Sequence, residues 1–70
     1  MDNILRELRE RESLTQVDLA ARVGVSRQTI ISLEKGKYNP SLILAYKLAR
    51  VFGLGIEEVF LFEDRKGMNR

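Results

Sequence analysis

The 70-residue sequence contains no cysteine and no histidine. Without cysteine, the chain can form no disulfide, no thiol nucleophile and no zinc finger. Without histidine, it also lacks the side chain that most often serves as a general base or a metal ligand. These two absences argue against most enzymes and against small domains that depend on disulfides or zinc.

Carboxylates remain as possible catalytic or metal-binding groups, but no paired-carboxylate or aspartate-rich loop pattern is present. Glu57-Glu58 is interpreted as solvated charge at a helix start, and Glu63-Asp64 as solvated charge in the tail. The sequence therefore predicts a protein that is not an enzyme and has neither a metal nor a cofactor. No small-molecule ligand is evident.

The chain also lacks long apolar segments. None approaches the ~20 residues that a membrane-spanning helix needs, and the start Met1-Asp2-Asn3 does not have the pattern of a signal peptide. We expect a cytoplasmic protein without membrane association. Its length predicts one domain over residues 1–70. Because a chain this short buries only roughly 60% of its unfolded surface, dimerisation would help to stabilise it.

Positive charge is concentrated in the middle of the chain, although the net charge is only +2. Residues 1–14 contain three basic and four acidic residues, and residues 51–70 contain the same numbers. Residues 15–50 contain six basic residues and only two acidic ones. This central segment is therefore the part of the chain best suited to meet phosphate groups.

Hydrophobic spacing and end signals predict an all-α fold of five short helices. The first is expected at about residues 2–12, and the third at about 27–35. The fourth is expected at about 42–52, with Leu42, Ala45, Leu48, Ala49 and Phe52 facing inward. The fifth is expected at about 56–61. Residues 60–62 could finish this helix or begin a short strand, and residues 63–70 are expected to be frayed.

The second and third helices have the clearest boundaries. Thr15 is a suitable N-cap for the second helix, with Asp18 placed to complete a capping box. Gly24 suits the end of that helix, since glycine adopts a positive φ at least cost. Ser26 then caps the third helix, while Ala20 and Gly24 are expected to leave space for close packing. Two short helices joined in this way indicate a helix-turn-helix, which places its second helix in the major groove of DNA.

These residues resemble the lambda-repressor-like, Cro-type helix-turn-helix family, also called the XRE family. The resemblance covers about residues 3–62, and the runs 25–30 and 37–41 are similar to those of small stand-alone dimeric repressors in that family. It rests on the following residues at family spacing: Gln16, Ala20, Gly24, Ile30, Leu33, Glu34, Gly36, Asn39, Pro40 and Ser41. The chain departs from the family at Ile31, where a polar residue is common, and at Ile43, where an acidic one is. The C-terminal tail resembles a family β-strand, but its N-terminal partner strand is expected to be missing.

A helix that docks in this way contacts base edges with its N-terminal residues. The candidate base contacts are Arg27, Gln28, Ile31 and Ser32. Arginine suits guanine and glutamine suits adenine, while an isoleucine can touch the thymine methyl group. For each of these residues, a phosphate contact or an ordinary surface position is the alternative.

Other residues are candidates for contacts to the DNA backbone. Gln16 resembles the phosphate-binding residue of the family, at the start of the second helix. The further candidates are Ser26, Thr29, Lys35, Lys37 and Asn39, although the lysines could be solvated surface and Asn39 only a turn residue. Arg9 and Glu34 match a family ion pair that ties the first helix to the third, and this implies a structural role for them.

The sequence predicts a sequence-specific regulator that binds double-stranded DNA, acting as a homodimeric repressor on a pseudo-palindromic operator. Excess apolar surface in the last third of the chain suggests a dimer interface at Leu54, Ile56, Phe60 and Phe62, with completion of the core as the alternative for these residues. The alternative is a protein-interaction module of the antitoxin or co-activator type with the same fold. Ile31, Ile43 and Tyr46 favour that alternative.

Overall fold

The computed structural model describes residues 2–61, which form five α-helices and two short strands. This mostly helical architecture confirms the predicted fold class. The predictions for Phe62 and for residues 63–70 lie outside the described residues. The elements in chain order are β1 (Asp2–Asn3), α1 (Leu5–Arg11), α2 (Gln16–Val23), α3 (Arg27–Glu34), α4 (Leu42–Val51), α5 (Ile56–Val59) and β2 (Phe60–Leu61).

Three of the helices begin at residues that cap them locally. Thr15, Ser26 and Ser41 each accept a hydrogen bond from the backbone N–H three residues further along, at 2.9, 3.2 and 3.1 Å. At α2 the carboxylate of Asp18 also accepts a hydrogen bond from the backbone N–H of Thr15, at 2.9 Å. The predicted capping box is therefore complete, and the predicted caps Thr15 and Ser26 are confirmed. Ser41 caps α4 in the same way.

The turn between α2 and α3 depends on the conformation of Gly24, which has a φ of 76°. A Cβ atom added at Gly24 would meet nothing within 4 Å. The expectation that Gly24 is needed for space was therefore wrong, because glycine is favoured here for its positive φ alone. Ala20, by contrast, is buried in the core. A larger side chain at position 20 would have to displace the residues packed around it.

The hydrophobic core receives side chains from every helix. The predicted inward position of Leu42 was wrong, because this residue is exposed. The buried positions of α4 are residues 44, 45, 48 and 49. A helix turns by about 100° per residue, so Leu42 lies on the side of α4 opposite to Leu44. The core residues are Leu5, Leu8, Leu19, Ala20, Val23, Ile30, Leu33, Leu44, Ala45, Leu48, Ala49, Val59 and Phe60.

The two chain ends that the structure describes meet in an antiparallel strand pair, in which Asp2 lies opposite Leu61 and Asn3 opposite Phe60. The expectation that the N-terminal partner strand is missing was therefore wrong. The predicted bounds of two helices change with it, since α1 begins at Leu5 and α5 ends at Val59. A strand of two residues is too short to show an alternating pattern in the sequence. Its pairing also depends on a segment almost 60 positions away.

Candidate nucleic-acid interface

The buried side of helix α3 determines which of its residues face away from the core. Only residues 24–26 separate it from α2, and the backbone N–H of Val25 donates to the carbonyl of Ala20 at 3.0 Å within this turn. Ile30 and Leu33 of α3 are fully buried. Because these two residues occupy one side of the helix, the residues on the other side must face away from the core.

The outward side of α3 carries the four residues predicted to contact bases, Arg27, Gln28, Ile31 and Ser32, which we call the reading face. Arg27 and Gln28 are exposed at its N-terminal end, and neither side chain has a hydrogen bond or an ion pair with another described residue. Ile31 and Ser32 lie one turn later and are half-buried. The reading face therefore offers uncommitted guanidinium and amide groups next to one apolar side chain.

The hydroxyl groups at the start of α3 already have partners. The Ser26 hydroxyl accepts from the backbone N–H of Thr29, and the two side-chain oxygens are 3.0 Å apart. A phosphate contact from either residue would have to share a hydroxyl that serves the cap. By contrast, Lys35, Lys37 and Asn39 are exposed after the end of α3, and their side chains have no hydrogen bond or ion pair with another residue of the range 2–61.

Arg9 and Glu34, predicted to form an ion pair, join α1 to the end of α3. Nε of Arg9 donates to Oε2 of Glu34 at 2.6 Å, and Nη2 donates to Oε1 at 3.2 Å. The two side chains are only 12% and 6% exposed. The hydrogen bonds to Glu34 raise the pKa of Arg9, while burial acts in the opposite direction. Nη1 of Arg9 also donates to the carbonyl of Leu14 at 3.0 Å, so the guanidinium also holds the turn before α2.

The same carboxylate holds Gln16 at the start of α2. Nε2 of Gln16 donates to Oε1 of Glu34 at 3.2 Å. The reverse orientation of the amide would set its carbonyl oxygen against the carboxylate, so this contact defines which end points towards Glu34. An amide nitrogen has two N–H groups, which leaves one for another acceptor. Gln16, Ile31 and Lys35 line one open groove next to the ion pair.

Asn3 is a second anchor for α3, and sequence reasoning missed it. Its Nδ2 donates to the carbonyl of Leu33 at 2.7 Å, while its Oδ1 accepts from the backbone N–H of Leu5 at 3.1 Å. One side chain thus binds both the first residue of α1 and the last turn of α3. An asparagine near the start of a chain gives no signal for such a contact, because the partner is 30 residues away.

The residues predicted to form a dimer interface differ in how far they are buried. Leu54 and Ile56 are half-buried and can still lose surface to a second copy. Phe60 is only 1% exposed, so its prediction as an interface residue was wrong. Its side chain completes the core of the single chain beneath β2, and the sequence alone did not distinguish core from surface. Phe62 lies outside the described residues.

Comparison with known proteins bears directly on this arrangement. A family model described as helix-turn-helix matches residues 5–59, which include all five helices. The chain belongs to the helix-turn-helix family of transcriptional regulators. This confirms the XRE-type resemblance, and α2 and α3 are the two helices that name the family.

Three relatives illustrate this helix-turn-helix membership. An uncharacterised HTH-type transcriptional regulator of Methanocaldococcus jannaschii is 58% identical over 64 residues, which cover 91% of this chain and 97% of the relative. The cryptic phage CTXphi transcriptional repressor of Vibrio cholerae is 36% identical over 55 residues, covering 79% of this chain and 50% of that protein. The crystal structure of the restriction-modification controller protein of Aeromonas hydrophila has a TM-score of 0.72 and 38% identity, covering 80% of this chain and 85% of that one.

Over residues 2–61, no three acidic side chains come together as a metal ion would require. No helix in that range is long and apolar enough to cross a bilayer.

Proposed function

We propose that this helix-turn-helix protein represses transcription by binding, as a homodimer, to a pseudo-palindromic operator in double-stranded DNA. The observation that supports this most directly is the reading face, where Arg27 and Gln28 present uncommitted polar groups on a helix whose other side is fully buried. In a two-fold dimer, the two copies of α3 would enter successive major grooves about 34–36 Å apart. Occupation of a promoter would then block transcription without any catalytic step.

The reading face supplies the chemistry for base recognition. The Arg27 guanidinium can donate two hydrogen bonds to guanine, and the Gln28 amide can pair with adenine. Ile31 is placed one turn later to touch a thymine methyl group, next to the hydroxyl of Ser32. Each good pair of hydrogen bonds contributes roughly 1–3 kcal/mol to discrimination between bases.

Backbone contacts would come from both sides of α3. Lys35, Lys37 and Asn39 are exposed where the chain leaves this helix, and lysines in such a position can neutralise phosphates. On the other side, the free N–H of Gln16 can donate to a phosphate oxygen. Because Glu34 of α3 holds that amide at 3.2 Å, the phosphate contact and the reading face belong to one connected unit.

The repressor role has support from the relatives. The matched Vibrio cholerae protein is named a transcriptional repressor. A matched relative from Bacillus phage phi105, 30% identical over 70 residues, is named an immunity repressor protein. Small size adds to the case for a dimer, since the single chain has a thin core.

Selection of bound duplexes from a random pool, followed by footprinting, tests the proposal. We expect two inverted half-sites with centres one helical turn apart. Gln28→Ala should lower affinity and relax preference at one base pair, whereas Lys37→Ala should weaken binding to all sequences and flatten its salt dependence. Arg22→Ala is a matched control, because it removes an exposed cation from α2 outside the proposed contacts. A folded protein that binds no duplex even at low salt would contradict the proposal.

The alternative is a module that binds another protein through the same fold. Ile43 and Tyr46 favour it, because both are large apolar side chains exposed to solvent. Failure of duplex binding, combined with intact folding, would favour this alternative.

A further inference from the structure

The outer side of α4 is unusually apolar for a surface. Its exposed residues are Leu42, Ile43, Tyr46, Lys47 and Arg50, which we call the α4 face. Leu42 is 75% exposed, Ile43 is 69% exposed and Tyr46 is 55% exposed. The reading face and the proposed phosphate contacts do not use these residues. Contiguous exposed apolar side chains mark interaction sites more often than scattered ones do.

The charge on the α4 face has one sign. Lys47 and Arg50 are its charged residues, and α4 contains no aspartate or glutamate. The guanidinium carbon of Arg50 lies 5.9 Å from the centre of the Tyr46 ring, within the range of a cation–π contact. Lys47 has no ion-pair partner in the part of the chain that the structure describes. A surface that covers the α4 face should therefore be apolar and acidic.

The neighbouring helix α5 has this composition. Glu57 and Glu58 in its first turn are exposed, next to the half-buried Leu54 and Ile56. Glu58 uses Oε1 to accept from the backbone N–H of Gly55, and its other oxygen is free for a second partner. The two surfaces are thus complementary in both charge and polarity.

Helix α5 is too small to form a dimer interface alone. It has four residues, whereas a stable interface usually involves about 20–30 residues on each side. An interface that begins at Leu54 and Ile56 must therefore extend onto an adjoining element. Helix α4 packs against α5 in the fold and has the exposed apolar residues that such an extension needs.

We infer that the α4 face is part of the interface between two copies of this chain, with α4 of each protomer lying against α5 of its partner. Leu42, Ile43 and Tyr46 would be covered by apolar side chains, and Lys47 would face the partner's Glu57. Two-fold symmetry would form each contact twice. The inference rests on the homodimer of the proposed function and names the surface that makes it.

A charge exchange at positions 47 and 57 tests this inference by sedimentation equilibrium at low salt. Lys47→Glu and Glu57→Lys should each raise the dissociation constant of the dimer by about tenfold, because like charges then face each other. An equimolar mixture of the two variants should associate about as well as the wild type, since opposite charges meet again in the mixed dimer. Arg22→Glu, a comparable charge reversal outside both the α4 face and the proposed DNA contacts, is the matched control and should leave the dissociation constant unchanged.

An apolar substitution gives an independent measurement. Ile43→Asp should also raise the dissociation constant by about tenfold or more while the circular dichroism spectrum stays native, because Ile43 is exposed in the single chain. If the wild type remained a monomer at every concentration, the proposed homodimer itself would fail. If the wild type formed dimers that Lys47→Glu, Glu57→Lys and Ile43→Asp left intact, only the assignment of the α4 face would be overturned.

Discussion

The two ends of helix α3 are held in different ways. Its first turn is capped by Ser26, which lies next to the helix and accepts the N–H of Thr29 at 3.2 Å. Its last turn is held by Asn3 and Arg9, which bind Leu33 and Glu34 across separations of 30 and 25 residues. Local chemistry thus determines where α3 begins, and the distant N-terminal segment determines how its far end is anchored.

This difference separates two requirements of helix α3. A cap stabilises the helical conformation itself, while an anchor determines how the helix sits on the rest of the domain. The two anchors also differ from each other, since Arg9 brings charge and Asn3 links α3 to the strand pair. Substitutions at the two ends should therefore lower the free energy of unfolding by different amounts.

The largest effect is expected from Arg9→Ala, which leaves Gln16 as the remaining side-chain partner of the Glu34 carboxylate among the described residues. Because Glu34 is only 6% exposed, we expect the free energy of unfolding to fall by roughly 3–5 kcal/mol. Urea denaturation measures this loss. Arg6→Ala is the matched control, because it breaks the exposed pair with Glu10 and should cost about 1 kcal/mol or less. Equal losses for the two variants would contradict an anchoring role for Arg9.

Asn3→Ala should have the next largest effect, because it removes two hydrogen bonds at once. We expect a loss of roughly 1–3 kcal/mol, since each lost hydrogen bond contributes roughly 0.5–1.5 kcal/mol and the carbonyl of Leu33 keeps the N–H of Gly36 as a donor. Urea denaturation gives the total, and amide hydrogen exchange should show faster opening near the end of α3. Asp2→Ala changes the exposed neighbour in β1 and should be close to neutral. The idea of a second anchor would be wrong if exchange near Leu33 did not change.

Ser26→Ala tests the local end of the same helix. The loss of this N-cap should lower the free energy of unfolding by about 1 kcal/mol, less than either anchor substitution is expected to cost. Ser26→Gly should cost only a few tenths of a kcal/mol, since glycine is tolerated at this position. A larger loss for Ser26→Ala than for Arg9→Ala would reverse the comparison between the two ends.

The smallest effect concerns the cap of α2 and depends on pH. Hydrogen bonds from the backbone N–H of Thr15, and then from its side chain, hold the pKa of Asp18 below its ordinary value of 3.8. Because the pKa is lower in the folded state, the carboxylate stabilises the fold above the unfolded pKa, and this is lost as pH falls through the folded pKa. Asp18→Asn should therefore lower the melting temperature slightly at neutral pH and not at strongly acidic pH. A difference that grew on acidification would contradict this sign.

Much of the fold could be predicted because its signals are local. The caps Thr15, Ser26 and Ser41 each bind a backbone group three residues away, so a short window of sequence contains both partners. The strand pair could not be predicted in this way, because Asn3 and Phe60 are paired only after five helices bring them together. The outward position of Leu42 was missed for a related reason. An apolar residue at the start of a helix does not by itself show which side of that helix packs against the core.

For the candidate site, the sequence predicted the exposed residues better than the contacts that hold them in place. Arg27 and Gln28 lie on the outward side of α3, as the spacing of Ile30 and Leu33 required. The assignment of these residues to bases remains a prediction. The hydrogen bond between Gln16 and Glu34 was not predicted, because it forms only when the tertiary structure brings α2 and α3 close together. The α4 face was also recognised only once the buried side of α4 was known.

The amino-acid sequence by itself determined where the helices α2, α3 and α4 begin and which side of α3 is polar. These features depend on caps, turns and periodicity within a few residues. Only the tertiary structure decided that Asn3 and Arg9 anchor α3 and that Phe60 belongs to the core. It also decided that Leu42, Ile43 and Tyr46 of α4 face solvent. The physical reason is that anchoring and burial depend on contacts between segments that are distant in sequence, and the local sequence pattern does not show those contacts.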